Sequence, residues 1–423
     1  MKSTTEKHRR IFTALLICFI IAIPLNSSYE IIAMLNGTLV PDPDMTSWST
    51  VLTPLYIKAL KDVFLGLTVL LLIASYLRSP AKRRIFFTSP FIILNTVSVV
   101  LILNAMYSLS FMPPDIVFMG IRGYWSIAFV YAGAMYWDYS ERSIYPYLLA
   151  VFFLHFLVQI MERIAGVGQD VYFASRSPGL FMIPATAGAF ALLVHYFAIR
   201  FKSTPLKLLT LISLLLSNST AGLLIFVAYY IYDYRNKLRP KVLYYPLYIV
   251  TISALCYGLI TNLDELTGRG GGASSSALTR LGILYLALSN WTSLIFGIGM
   301  GIATSQAYLS GYGNAIIADN TYVGMLYNAG IVPALLMLGF AFLSFRLFNN
   351  KLLALLLLGY SMTTVIFELN PVIQVLLILL GSEIGRKYAT TAKETIPRES
   401  RISNMFRPPL TSLNRARTDG VKC

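Results

Sequence analysis

The chain has 423 residues, of which 56% are hydrophobic and only 13% charged, with a mean hydropathy of +0.66. These values exclude an ordinary soluble globular protein and predict an integral membrane protein. The formal net charge of +15 suggests nucleic acid until the positions of the positives are read. They follow topology instead, so no nucleic-acid partner is expected.

The first apolar run follows Lys7, His8, Arg9 and Arg10. It has the basic start of a signal peptide but no small-x-small site after it, and it reads as a first span with a cytoplasmic start. Further apolar runs put spans near 11–34, 55–77, 85–109, 117–137, 145–164, 179–199, 204–217, 219–234, 242–261, 320–346, 351–367 and 371–385. Each can cross much or all of a hydrocarbon core of roughly 30 Å as a helix. The expected fold is therefore an all-α polytopic protein of about twelve transmembrane helices. The pair around Ser217-Asn-Ser-Thr-Ala-Gly222 is short and joined by a tight polar turn, as in a helical hairpin that dips or tilts.

Basic loops set the orientation: Arg78, Lys82, Arg83 and Arg84; Arg200, Lys202 and Lys207; Arg235, Lys237, Arg239 and Lys241; and the tail from Arg386 to Lys422. This divides the chain into a cytoplasmic N-terminus (1–10), a membrane domain (11–385) and a basic cytoplasmic tail (386–423). The tail, rich in Pro, Ser, Thr and Arg, is expected to be disordered or to lie on anionic lipid. Periplasmic loops fall at 35–54, 110–116, 165–178 and 262–319, in a bacterial inner membrane with both termini cytoplasmic.

Of the 34 Lys and Arg residues, only Lys58, Lys61, Arg122, Arg163, Arg176, Arg269 and Arg280 face outward. They are outnumbered there by Glu30, Asp42, Asp44, Asp62, Asp115, Glu162, Asp170, Asp264, Glu265, Asp319 and Glu368. An acidic outer surface exerts no general pull on anions, so an anion site must be built from particular arginines. Arg176 stands at the mouth of a span. Arg280 lies on a predicted amphipathic helix in the long loop, where Ala277, Leu281, Leu284, Leu288 and Trp291 repeat on one face. There it is either a snorkelling arginine or a phosphate ligand, and position alone leaves both open.

Gly268 to Ser276, with Arg269 inside it, reads as a flexible linker, the alternative being a backbone cradle for phosphate. Phe296-Gly-Ile-Gly-Met-Gly301 lacks the strand and helix of a dinucleotide fingerprint and reads as a turn or close-packing segment. His155 and His195 lie within spans without metal-ligand spacing and read as buried, satisfied histidines; no metal or other cofactor is expected. Asp319 is equally a helix cap or a catalytic carboxylate. Glu368 sits at a membrane edge and is expected to face a polar cavity. Tyr172 and Tyr322 suit sugar stacking, as they would suit any membrane boundary.

The order Ser175-Arg-Ser-Pro-Gly179, LLSNSTAGLLIF, SSSALTRLGILYLALSN, FGIGMGIA, ADNTYVGMLYNAGIVPALL and FELNP resembles the Wzy-type polysaccharide polymerases and the related O-antigen ligases, over roughly 169–380. The resemblance implies a GT-C-like helical fold and a metal-independent glycosyltransferase. Its substrates would be undecaprenyl-diphosphate-linked oligosaccharides, joined on the periplasmic face into O-antigen, capsule or exopolysaccharide. It implies Arg176 and Arg280 as diphosphate ligands. The acceptor hydroxyl of such a transfer needs orientation and weak base help, for which Asp319, Glu368, Glu162 and Asp170 are candidates, and Arg269, Asn320, Tyr172 and Tyr322 are candidate substrate contacts. A chain-length-determining co-polymerase and a flippase would be partners. The ligases carry His-Asn where this chain has Asp319-Asn320, which favours the polymerase over the ligase alternative. A transporter of lipid-linked sugars, the second alternative, would show paired halves, and no internal repeat is readable.

Chemistry supports such a reading independently. A diphosphate leaves without a general acid, and its charge needs cations, each preorganised donor being worth about 3 to 4 kcal/mol.

Overall fold

A computed structural model of the chain describes residues 2–36, 38, 53–78, 84–166, 176–234, 285, 288, 291–304, 307, 308, 311, 312, 315, 316, 318, 320–348, 350–369 and 371–394. Among these the regular elements are all helical. Four helices among the described residues are long and apolar enough to cross a membrane: Glu6–Leu35, Ser89–Ser108, Pro114–Tyr136 and Glu141–Ala165. Thr204–Ser217, Ile331–Leu347 and Leu352–Thr363 are shorter apolar helices. The expected span at 242–261 lies outside the described residues.

Helix α1 (Lys2–Ala22) runs through a 3-10 turn (Ile23–Ser27) into α2 (Ser28–Leu35). A short α3 (Leu55–Lys58) precedes α4 (Leu60–Arg78). Proline in the first turn opens α5 (Ser89–Ser108) and α6 (Pro114–Tyr124), where its missing N–H costs no hydrogen bond. Helix α7 (Ala128–Ala165) leaves helical geometry at Tyr136 (φ −121, ψ 19), and Gly166 ends it at φ 70. The expected loop between spans 117–137 and 145–164 is thus a break in a continuous helical run.

Helix α8 (Pro184–Arg200) is followed by α9 (Thr204–Ser217) and α10 (Thr220–Tyr234). Asn218, left-handed at φ 44, makes the tight turn of the expected hairpin. Helix α11 (Trp291–Phe296) leads into the glycine cluster. The span expected at 320–346 is two helices, α12 (Thr321–Ala329) and α13 (Ile331–Leu347), because Gly330 turns the chain at φ 86 against the Ile295 backbone. Helix α14 (Leu352–Thr363) stops before an extended Thr364 and a 3-10 turn (Ile366–Glu368), short of the expected 367.

The last helix, α15 (Val372–Glu394), corrects the expected tail. It continues past 385 because Arg386 is tied into the bundle. Arg386 and Arg200 each pair with both Glu141 and Glu383, at 2.5 to 3.2 Å, and the Tyr196 hydroxyl donates to the two carboxylates. Burial lowers the Arg386 pKa, but Glu383 and Glu141 more than offset this, so it lies above its usual value.

The core packs by small-residue contact. Gly133 of α7 lies against the backbone of Ile378, while Gly381 and Gly385 of α15 lie against those of Val130 and Ala134. Small residues four apart let two helices approach in lipid, where packing replaces the hydrophobic effect between them. The glycine cluster is a close-packing segment, as expected. Gly301 (φ 102) abuts Ile116, and Asn328 Oδ1 accepts from the Gly301 and Ala303 N–H groups.

Candidate functional site

Contacts sort the helix ends into two groups. At one end His8 bonds to Ser75 (3.0 Å), which bonds to Tyr136 (2.6 Å), and Arg200 and Arg386 grip the two glutamates. The other end carries Arg176. Here Ser177 N–H donates to the Leu216 carbonyl (2.9 Å) beside the hairpin turn, and Ser219 bonds to the Tyr360 hydroxyl (3.3 Å). Asn320 Nδ2 then donates to the Met362 carbonyl (2.8 Å), and Thr321 Oγ1 donates to the Thr364 carbonyl while accepting from Ile366 N–H. The segment 176–179, the hairpin turn, Asn320 and the turn bearing Glu368 therefore share one end of the bundle.

Arg176 is only 5% exposed, although the sequence places it in an open loop. The segment after it is strapped to α7. Gln159 Nε2 donates to the Ser177 and Ser213 carbonyls (2.9 and 3.2 Å), and its Oε1 accepts from Ser213 Oγ (2.6 Å). Glu162 Oε2 accepts from Gly179 N–H (2.8 Å), and His155 Nδ1 accepts from Leu180 N–H (3.3 Å). Gly179, at φ 58, closes on the His155 ring so tightly that a side chain there would collide with it.

His155, Gln159 and Glu162 form a polar stripe at helical spacing, four then three residues apart, on the buried face of α7. The sequence carries that stripe at helical spacing, but sequence reading takes His155 and Glu162 singly and does not single out Gln159. Glu162 Oε1, Ser177 Oγ and His155 Nε2 are buried without a hydrogen-bond partner among the described residues. Buried polar atoms left unsatisfied are costly, and such groups gather where a water or ligand completes the set. A guanidinium withdrawn from water acts on an anion through a low effective dielectric, which strengthens the interaction.

Asn320, expected as a substrate contact, is the N-cap of α12. Its Oδ1 accepts from Tyr322 and Val323 N–H (2.8 and 3.1 Å), and this fills the capping role that the sequence allowed for Asp319. Tyr322 is half-buried, and Glu368 closes the 3-10 turn beside it in the fold. Tyr172, Arg269, Arg280 and Asp319 lie outside the described residues, as does most of the amphipathic helix. His195 is satisfied as expected, between Thr210 Oγ1 (2.7 Å) and the Tyr230 hydroxyl (2.9 Å). Among the described residues no three His, Cys, Asp or Glu are grouped to hold a metal ion.

Two of the other outward cations are engaged in ion pairs. Lys58 Nζ reaches Glu30 (3.0 Å), which also accepts from Thr53, and Arg122 forms a two-point ion pair with Asp62. By sequence position Lys58 flanks a span and Arg122 has a simple interfacial explanation. No protein-family model and no curated protein matches the chain.

Proposed function

We propose that this α-helical membrane protein is a glycosyltransferase that polymerises undecaprenyl-diphosphate-linked oligosaccharide repeat units. The proposal includes about twelve spans in a GT-C-like arrangement, the Arg176 end facing the periplasm, and both termini in the cytoplasm. The growing chain on its carrier is the donor and a single lipid-linked unit the acceptor. An acceptor hydroxyl attacks the anomeric carbon, the bond from that carbon to the diphosphate oxygen breaks, and the lipid diphosphate leaves with the electron pair. The hydroxyl proton passes to a carboxylate, with Glu368 and Asp319 the candidates, or to water.

The observation that supports the reading is the strapping of the segment that follows Arg176, next to an arginine that is itself buried at this end of the bundle. A guanidinium stays charged and offers a planar fork that matches phosphate oxygens. Arg280 is proposed as its partner on the same diphosphate, and Arg269, Asn320, Tyr172 and Tyr322 as contacts to the glycan or head group.

The test is the glycan ladder of cells expressing the protein at matched levels. Arg176→Ala and Arg280→Ala should each reduce long polymer at least a hundredfold, and lysine at either position should restore little of it. Wild-type polymer in both alanine variants would sink the site. Deleting the protein should leave single repeat units on the core; carrier-bound polymer accumulating instead would identify a ligase.

A further inference from the structure

Helices α4, α5 and α6 enclose a groove of about 1030 Å³, at the upper end of small-ligand pockets. Its mouth carries Lys58, Lys61 and Arg122 against Asp62, and its shaft is lined by residues such as Val69, Ile73, Ile102 and Phe118. The far end is closed by Phe86 and Tyr131, whose rings stack at 5.0 Å. From Asp62 to Ile73 the helical rise gives a depth of about 16 Å, close to one leaflet of a core of roughly 30 Å. Leu70, Ile73, Ile102 and Phe118 of this lining are exposed apolar residues, so the groove opens sideways toward lipid.

The geometry points to a second lipid site: a groove that takes one polyprenyl diphosphate from the outer leaflet, with its head at Lys58, Lys61 and Arg122 and its chain along α4. The mouth is net positive, three cations against Asp62, with Glu30 behind Lys58. A multivalent head can draw Arg122 from Asp62 because that ion pair is partly exposed and weak, and the partly exposed Lys58 can reach the head while buried Glu30 stays held by Thr53. The 3-10 turn Ile23–Ser27 packs against both the Gly179–Phe181 turn and α3, which puts the mouth at the Arg176 end of the bundle. This assignment rests on the polymerase reading, in which two carrier lipids must be held at once. The donor head goes to Arg176 and the acceptor to the groove.

Gly66 supplies the test. It lines the groove, and a Cβ built there meets nothing within 4 Å, so a larger side chain fills the shaft without disturbing the fold. The full chain in detergent would be offered undecaprenyl diphosphate, undecaprenol or dioleoyl phosphatidylglycerol, and bound lipid read by native mass spectrometry. Gly66→Trp should cut the species carrying two undecaprenyl diphosphates at least tenfold, leaving the singly loaded species and the melting temperature unchanged, and Gly66→Leu serves if the tryptophan variant melts lower. Lys61→Gln should cut that doubly loaded species about tenfold and leave undecaprenol unchanged.

Wild-type binding in the filled variants overturns the site. So does equal retention of undecaprenol, which marks an unspecific apolar crevice, or equal competition by phosphatidylglycerol, which marks an ordinary phospholipid site. The glycan ladder separates the two ideas. Binding that follows Gly66 while polymer ignores Arg176 and Arg280 keeps the groove and removes the polymerase reading. Polymer that needs both arginines while binding ignores Gly66 does the reverse.

Discussion

Glu162 is fully buried on α7, three residues before the helix ends, and one of its oxygens holds the Gly179 N–H at 2.8 Å. That bond fixes the turn after Arg176 in the geometry that Gly179 alone can adopt against His155. Glu162→Gln keeps an oxygen acceptor for Gly179, whereas Glu162→Ala leaves a buried N–H unpaired at a cost of about 1 to 3 kcal/mol. The Gly179 amide should therefore exchange with deuterium faster in the alanine variant and at the wild-type rate in the glutamine variant. Equal protection in both variants would show that the carboxylate does not hold the segment. The same scale separates Asn320 from Arg176: a side chain that already caps α12 and ties down Met362 has a structural task whatever else it touches.

At the scale of helices, apolar runs and punctuating residues carried most of the information. Pro90, Pro184 and Pro205 open helices in their first turn, the first two later than the expected starts at 85 and 179, and Asn218 turns the hairpin. The break at Gly330 was not legible, because it depends on Ile295 arriving from a distant helix. Nor was the extension of α15 past 385, which depends on carboxylates from α7 and α15 meeting Arg386. The glycines of Gly381-Ser-Glu-Ile-Gly385 were readable as a packing face, yet their partner, α7, emerges only in three dimensions. Gly381→Val would drive a branched side chain into the Val130 carbonyl, and overpacking of this kind costs about 1 to 3 kcal/mol. Gly339, with open space around it, is the control: Gly339→Ala should hold or raise the melting temperature, since alanine is about 1 kcal/mol better in a helix. Equal melting of the two variants in detergent would show that α7 and α15 are not in backbone contact.

Across the whole molecule, the two groups of helix ends follow the charge asymmetry that the sequence displays. Basic loops flank one set, while ion pairs and the strapped Arg176 segment occupy the other. Convergence of the motif pieces was not legible, because motif order says nothing about which ends meet until the hairpin turn is placed beside Ser177 and Tyr360. The groove was hidden for a similar reason: Lys58, Lys61 and Arg122 share a mouth only because α6 returns alongside α4. If the Arg176 end faces the periplasm, the two ends of α5 must differ in access. Ser89 and Ser110 are exposed at its opposite ends, about 30 Å apart along a helix of this length. In a chain with Cys18, Cys256 and Cys423 replaced by serine, Ser110→Cys should react with a membrane-impermeant maleimide in intact spheroplasts. Ser89→Cys should react only after the membrane is opened. The opposite pattern would invert the protein and move Arg176, the groove mouth and the proposed chemistry to the cytoplasmic face.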